Sequence, residues 1–306
     1  MVNVNVMDAT TVAIIGGGPA GLTAALYLGR AKVNCIVFDR DLCGGQIIYS
    51  PLLENVPGFY GEGAALADQI LNEVSKYPSV QFCNFTSVED VRELDENMYV
   101  LTLDDGTKLA AQYVICATGA SSITLPRLEG ENVHYCVTCD GPLYQDKMVA
   151  VVGGGNSALQ YALELTKYAR GVYIVTNEPT LRGEEEMRKR VLNHPLINVA
   201  CNFPASEFTG GYLKSEYGLS IPVDGVFIAI GYRPNTSYLK DVCKIKGYFS
   251  TDHEYRVIPY LDDDANYGRI FAVGDCRYKP FNQVVIAMGE GCQAALQIIS
   301  DLEKQN

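Results

Sequence analysis

The chain has no tryptophan, and only three of its 306 residues are histidines. It also lacks any apolar stretch long enough to cross a bilayer: the run that begins at Val12 is broken by glycine within five residues, where a spanning helix needs about 20. The first ten residues, Met1 to Thr10, carry neither a basic segment nor an apolar core, which excludes a secretory signal of the ordinary kind and leads us to expect a cytoplasmic protein. Basic charge is in short supply. Lys and Arg number 24 against 36 Asp and Glu, giving a formal net charge of −12. Nucleic acid and anionic membranes both reward a basic surface, so neither is an expected partner.

Cysteine, by contrast, is plentiful, with ten copies. In a cytosolic chain of this length they do not form a disulfide scaffold. Most are expected to be small buried hydrophobes, and Cys35 and Cys116 sit inside apolar strand-like runs. One close pair, Cys136-Val-Thr-Cys139, stands apart. No other two cysteines have that spacing, so the second half of a four-cysteine zinc site is missing and no metal is expected.

Two strand–glycine loop–helix–strand units are legible. The first runs Thr11-Val-Ala-Ile-Ile15, Gly16-Gly-Gly-Pro-Ala-Gly21, a helical stretch to Arg30, then Val33 to Phe38. The second runs Met148-Val-Ala-Val-Val152, Gly153-Gly-Gly-Asn-Ser-Ala158, a helical stretch to Tyr168, then Val172 to Val175. Further strand patterns at Tyr99–Leu103, Tyr113–Gly119, Gly225–Gly231 and Arg269–Asp275, with a closing helix from about Gln283 to Glu303, complete the outline. The expected fold is α/β, with two doubly wound Rossmann-like nucleotide-binding domains, the second inserted into the first. The boundaries are expected near Thr118 and Cys243, giving residues 1–117 and 244–306 as one discontinuous domain and 118–243 as the insert.

Gly16, Gly18 and Gly21 fit the G-x-G-x-x-G fingerprint: a tight turn, a close approach of pyrophosphate to backbone, and a close helix–strand contact. Alone that pattern is weak. Here it follows a strand, opens a helix and is followed by Asp39, twenty-one residues beyond Gly18, to accept a ribose hydroxyl. The Cys136/Cys139 spacing lets two sulfurs bond across one turn and recurs where a thiolate must be generated. Two inert buried thiols are the competing reading, and polar Thr138 and Asp140 beside the pair count against it. Asp140 has two open roles: an acid that returns a proton to a leaving thiolate, or an N-cap for the segment that follows.

With these motifs in place the chain resembles the low-molecular-weight flavin thioredoxin reductases. The matching strings are Gly16-Gly-Gly-Pro-Ala-Gly21, Gly44-Gly-Gln46, Glu54-Asn-Val-Pro-Gly58, Ala117-Thr-Gly119, Cys136-Val-Thr-Cys139-Asp140-Gly141, Val149 to Ala158, Gly231-Tyr-Arg-Pro-Asn235 and Ala272-Val-Gly-Asp275, in the family's order along nearly the whole chain. The resemblance implies FAD held by Gly16, Gly18, Pro19, Ala20, Gly21, Asp39, Gly45, Gln46, Asn55, Ala117, Gly119, Gly274, Asp275, Gln283 and Val284. It implies that Cys139 faces the flavin, that Cys136 attacks the partner's disulfide and that Asp140 is the acid–base. It further implies thioredoxin as partner and a homodimer formed through the FAD domain.

The chain departs from this family where its members hold the 2′-phosphate of NADPH. Their second nucleotide strand is followed by His-Arg-Arg and a further Arg; the matching positions here are Thr176, Asn177, Glu178 and Arg182. A carboxylate beside a phosphate is repulsive. The stretch between Val199 and Ile221 reads as glycine-rich and turn-like where the family has an antiparallel meander, so the insert is expected to be a trimmed, degenerate NAD(P)H-type domain. Both departures resemble the subgroup that draws on ferredoxin, whose potential near −400 mV lies below the roughly −270 mV of thioredoxin's dithiol. For two electrons that gap is about 6 kcal/mol. A basic cluster of Arg182, Arg188, Lys189 and Arg190 is the candidate docking patch, against the plainer reading of a solvated helix with paired charges. The alternatives are an NADH- or NADPH-dependent reductase with an atypical loop, an oxygen-dependent dithiol oxidase, and a flavoprotein that only senses redox state. Of the smaller signals, His134 reads as a partly exposed loop histidine and His194 as a structural turn residue. Tyr49, Tyr60 and Tyr232 are candidates to stack on the flavin, and Asn282 replaces an arginine usual in the family.

Overall fold

Short runs of Val, Ile and Phe bounded by glycine cannot satisfy their backbone polar groups alone, and here they do so as parallel sheet. The computed structural model describes residues 5–6, 12–50, 53–95, 97–125, 127–128, 130–259 and 268–305, with backbone only at 5–6, 54, 138 and 139. The chain divides into two units, 1–120 with 234–306, and 121–233.

The first unit centres on a five-stranded parallel sheet in the order Ile270–Ala272, Tyr113–Cys116, Val12–Ile15, Cys35–Phe38, Val80–Cys83. Val12, Ala13 and Ile14 are fully buried, as expected for a strand covered on both faces. The helices Pro19–Arg30 and Val284–Gln305 pack on it through Leu22, Leu28, Ala294, Ala295 and Ile298. A separate sheet carries the antiparallel strands Val88–Asp95, Met98–Leu103 and Lys108–Ala111. Its Tyr99 and Leu101 share a core with Tyr238, Leu239, Val242 and Phe249.

That core moves one boundary. The insert was expected to end at 243, yet the chain rejoins the first unit at 234. Burial of Tyr238, Leu239 and Val242 in the first unit holds residues 234–243 there. The other boundary falls at 120 where 117 was expected.

The second unit repeats the plan with the order Val133–His134, Gly225–Ile228, Met148–Val152, Gly171–Val175, Ile197–Ala200, all parallel. The helix Asn156–Leu165 packs on this sheet through Ala158, Leu159, Ala162 and Leu165. The expected trimming is corrected here. A three-stranded antiparallel meander, Ala205–Thr209, Tyr212–Ser215 and Ser220–Pro222, is present. Its glycines make the turns: Gly210 and Gly211, at φ 58° and 78°, close a two-residue hairpin between paired Thr209 and Tyr212. The insert is therefore not degenerate in fold.

Candidate active site

The glycine loop of the first unit is built by contacts that admit no side chain. Gly16 has φ 107°, and a Cβ there would collide with the Ala117 carbonyl; a Cβ on Gly21 would collide with the Gly16 carbonyl. Gly45 lies against Gly18, where a Cβ would meet the Gly18 Cα at 2.7 Å. Gly18 is the extended residue before the helix, and Pro19 takes the first helical position, where its missing N–H costs nothing. Asp39, at the end of the next strand, accepts the Gly17 N–H at 2.7 Å and the Asp41 N–H at 2.9 Å. Each of its oxygens keeps a lone pair.

Around this loop the chain gathers distant segments. The Asn55 side-chain amide donates to Gln283 at 3.0 Å, joining positions 228 residues apart. Gln46 donates to the Ala120 carbonyl. Gly119 is left-handed at φ 61°. Ala20 is buried against the C-terminal helix, where a Cβ on Gly291 would strike its carbonyl, and Val284 begins that helix.

Gly274 and Asp275 stand above a buried ionic cluster that the sequence reading missed. Glu290, almost wholly buried, accepts the Gly274 N–H at 2.7 Å and pairs with Arg277 at 2.6 Å and Lys279 at 3.2 Å. An acid set between two glycines in the apolar first half of the C-terminal helix, Gly289-Glu290-Gly291, was the available signal. Asp275 is different: its Oδ1 is buried with no hydrogen-bond donor, and Lys279, 3.4 Å away, is an ionic neighbour only. Burial pushes the Asp275 carboxyl up, Lys279 pulls it back, and Glu290 adds to the rise. An orphaned buried acceptor next to a Cβ-free cradle fits FAD, whose pyrophosphate the Gly16–Gly21 loop would hold and whose hydroxyls Asp39 and Asp275 would accept. All fifteen residues expected at the cofactor lie in the first unit.

Cys136, Cys139 and Asp140 lie in the second unit. Cys136 is disulfide-bonded. The residues after it form the one-turn helix Val137–Asp140, closed by an Asp140 N–H to Cys136 carbonyl bond of 3.1 Å. The Cys139 side chain lies outside the described part. Cys35, Cys43, Cys83, Cys116, Cys201, Cys243, Cys276 and Cys292 are free thiols. Burial pushes Cys35 and Cys43 up to about 12 and Cys276 to about 11, so these are inert packing residues.

Asp140 is the residue before the 3₁₀ turn Gly141–Tyr144, but its carboxylate makes no cap bond there. It lies 3.1 Å from His134 Nδ1. His134 is partly exposed, its side chain 11% accessible with Phe227 and Tyr144 packed around the ring, but the expected loop is corrected to a short strand, Val133–His134. His194 does sit in a turn, accepting the Leu196 N–H at 3.3 Å. Tyr49, Tyr60 and Tyr232 are exposed.

Beyond the second nucleotide strand, Thr176 is buried beneath Gly154 and its hydroxyl accepts the Glu178 N–H at 3.2 Å. Arg182, the remaining cation, is 3.4 Å from Glu178. Lys189 pairs with Glu185 at 2.8 Å and Arg188 reaches the Leu181 carbonyl, so of the expected cluster on this helix Arg190 alone stands exposed without an ion pair among the described residues.

A phosphate-cradling unit with an inserted second copy that carries an oxidised cysteine beside an acid defines a dinucleotide-dependent disulfide oxidoreductase. The chain belongs to the pyridine nucleotide-disulphide oxidoreductase family, whose pattern matches residues 10–291. It is 37% identical over 300 residues to a 34.2 kDa protein in the rubredoxin operon of Clostridium pasteurianum, spanning 92% of this chain and 94% of that one. It is 34% identical to a thioredoxin reductase of Listeria monocytogenes, over 92% of this chain and 90% of the relative. In structure it is similar to the thioredoxin reductase of Lactococcus lactis, with a TM-score of 0.85 and 28% identity, covering 96% of this chain and 99% of that one. The protein is thus an FAD-binding disulfide oxidoreductase of the thioredoxin reductase type.

Proposed function

We propose that this protein reduces the disulfide of thioredoxin through Cys136 and Cys139, with electrons reaching FAD from reduced ferredoxin and not from NADPH. The observation that carries the dithiol role is Cys136 in disulfide form at the start of a one-turn helix that ends in Asp140. FAD, when bound, supplies the electron pair that opens the Cys136–Cys139 bond. The Cys136 thiolate then attacks one sulfur of the partner's disulfide, forming a mixed disulfide and releasing one partner thiolate. Cys139 displaces the second partner sulfur and restores the internal bond. Asp140 protonates a leaving thiolate. Two electrons and two protons leave with the partner's dithiol.

The Glu178–Arg182 pair supports the donor assignment. A nucleotide with a 2′-phosphate would meet a carboxylate and a cation already engaged. We assign the ferredoxin no docking patch on the Glu185–Leu192 helix, where Lys189 is paired with Glu185 and Arg188 is turned to the Leu181 carbonyl. The proposal keeps the cytoplasmic location expected from the sequence and carries over a homodimer from the family resemblance; among the described residues no helix is long and apolar enough to cross a membrane.

One observation favours NADH as second reading. The Gly153 loop keeps a nucleotide-ready form: φ 143° at Gly153, its Cβ position filled by the Ala229 carbonyl, with open space over Gly155. Anaerobic titration of the flavin band with NADPH, NADH and reduced ferredoxin separates the readings. Bleaching by ferredoxin alone is expected; rapid bleaching by either nicotinamide overturns the donor. Cys136→Ser is expected to abolish thioredoxin reduction with the flavin band intact, and full turnover in that variant rules out the dithiol mechanism.

A further inference from the structure

His134 belongs to the short strand Val133–His134, paired in parallel with Val226 and Phe227. Its ring lies on Phe227 at 5.2 Å and edge-on to Tyr144 at 5.3 Å. Both ring nitrogens are engaged by oxygen: Nδ1 stands 3.1 Å from Asp140 Oδ2 and Nε2 stands 2.6 Å from the Tyr144 hydroxyl. The same hydroxyl is 3.3 Å from Asn132 Oδ1, and Asn132 is exposed. Tyr144, only 3% exposed, is fixed from behind by Gly225, where any side chain would strike its ring. The segment between is tied down by the Tyr161 hydroxyl on the Tyr135 carbonyl at 3.0 Å.

We infer that Asp140, His134 and Tyr144 form a proton relay running from the acid beside the dithiol to solvent at Asn132, with His134 as the positioning residue that holds and recharges Asp140. This rests on the proposed role of Asp140. Donor counting shows why the array can switch. With the ring doubly protonated, Nδ1–H donates to Asp140, Nε2–H donates to the Tyr144 oxygen, and the Tyr144 hydroxyl donates to Asn132 Oδ1. With the ring neutral, Nδ1–H still donates to Asp140, Tyr144 donates to Nε2, and the Asn132 amide turns to offer its NH₂ to Tyr144. Each state is fully hydrogen-bonded, and they differ by one proton.

The step balances without moving an electron. When a thiolate leaves at the dithiol, Asp140 gives it a proton. The neutral ring passes its Nδ1 proton to the carboxylate as Nε2 takes one from the Tyr144 hydroxyl, and Tyr144 takes its replacement from water at the Asn132 end. One solvent proton becomes one thiol proton. Tyr144 stays a phenol through this: burial, then Asp140 and Asp224, hold its hydroxyl above the usual range. The charged groups facing the relay are Asp140, Asp224 and Lys147, whose ammonium stands 5.3 Å over the Tyr144 ring.

The test uses dithionite-reduced holoprotein mixed anaerobically with oxidised thioredoxin, read by stopped flow as a function of pH. The wild-type rate is expected to depend on pH through the relay. His134→Gln is expected to lose this dependence and slow the plateau rate about tenfold or more. Tyr144→Phe, which removes one oxygen from a packed ring, is expected to alter the dependence and slow the rate by about two- to fivefold. A cluster that merely packs the strand would leave the pH profile alone. A His134→Gln profile that superimposes on the wild type overturns the relay, as does an unchanged Tyr144→Phe profile should His134→Gln not fold. Cys136→Ser separates the two failures. If it is inactive while His134→Gln keeps the wild-type profile, only the relay falls; if it still reduces thioredoxin, the dithiol mechanism falls first.

Discussion

Glu178 and Arg182 face each other across the loop that follows the second nucleotide strand, with Nη2 of the arginine 3.4 Å from Oε1 of the glutamate. The pair is largely solvent-exposed, so it adds little stability. Its consequence is chemical: the one cation left at the expected 2′-phosphate site is shared with an anion.

Reversing that charge is expected to create affinity. Glu178→Arg removes the repulsion, frees Arg182 and adds a second guanidinium. NADPH is expected to bind at least about tenfold tighter, following the phosphate preference of paired arginines. Calorimetric titration of wild type and variant measures this. Unchanged affinity would mean that this loop does not meet the phosphate.

Two glycines on the C-terminal helix are expected to respond in opposite directions. Helix propensity alone favours alanine over glycine by about 1 kcal/mol. Gly289 has nothing near its Cβ position, so Gly289→Ala should stabilise by roughly that amount. Gly291 abuts the Ala20 carbonyl, part of a helix backbone that cannot move aside. Overpacking there costs about 1–3 kcal/mol or more and outweighs the propensity gain. Thermal melts should rise for the first variant and fall for the second; two rises would contradict the close helix contact.

Asp275 connects cofactor and pH. Its carboxyl is raised in the fold, chiefly by burial. The folded protein therefore binds that proton more tightly than the unfolded chain. The contribution favours folding below the unfolded value near 3.9 and is lost as pH rises through the folded value. At neutral pH the partly desolvated charge is a small cost to the apoprotein, so Asp275→Asn is expected to leave apoprotein stability equal or higher while weakening FAD retention about tenfold or more. Dialysis with flavin fluorescence, beside a melt of the apoprotein, reads both. Undiminished retention would show that Asp275 does not hold the cofactor.

The thiols should sort by burial. At pH 8 a thiol at about 12, as at Cys35 and Cys43, is ionised roughly one part in ten thousand. Iodoacetamide on the native protein should spare these two and Cys276, whereas Cys136 should be modified only after reduction. Peptide mass spectrometry decides it, and labelling of Cys35 at the rate seen in denatured chain would contradict its packing.

The sequence carried the repeated strand–loop–helix plan because its signal is local: apolar strands, three glycines at fixed spacing, and an acid one strand later. What it hid was non-local or ambiguous. Asn55 and Gln283 meet across 228 positions, which no spacing announces. Gly210 and Gly211 look the same in sequence whether they trim a domain or turn a hairpin, and only the pairing of Thr209 with Tyr212 decides. Tyr238, Leu239 and Val242 lie in a segment that forms no helix or strand, so no regular element in the sequence ties them to the first unit, and their burial there does. His134 was read by count and position, whereas its environment comes from Phe227, ninety-three residues on.

The insertion also fixes an order of assembly during synthesis. The strand Tyr113–Cys116 pairs with Ile270–Ala272, and the whole inserted unit, 121–233, emerges between them. That unit owns every strand of its own sheet and can fold as soon as it leaves the ribosome. The host sheet must wait with one edge open until its last strand arrives, and Asp275, Gln283 and the helix that carries Glu290 follow later still. A nascent chain can therefore hold a finished dithiol domain before it has a pocket able to keep FAD.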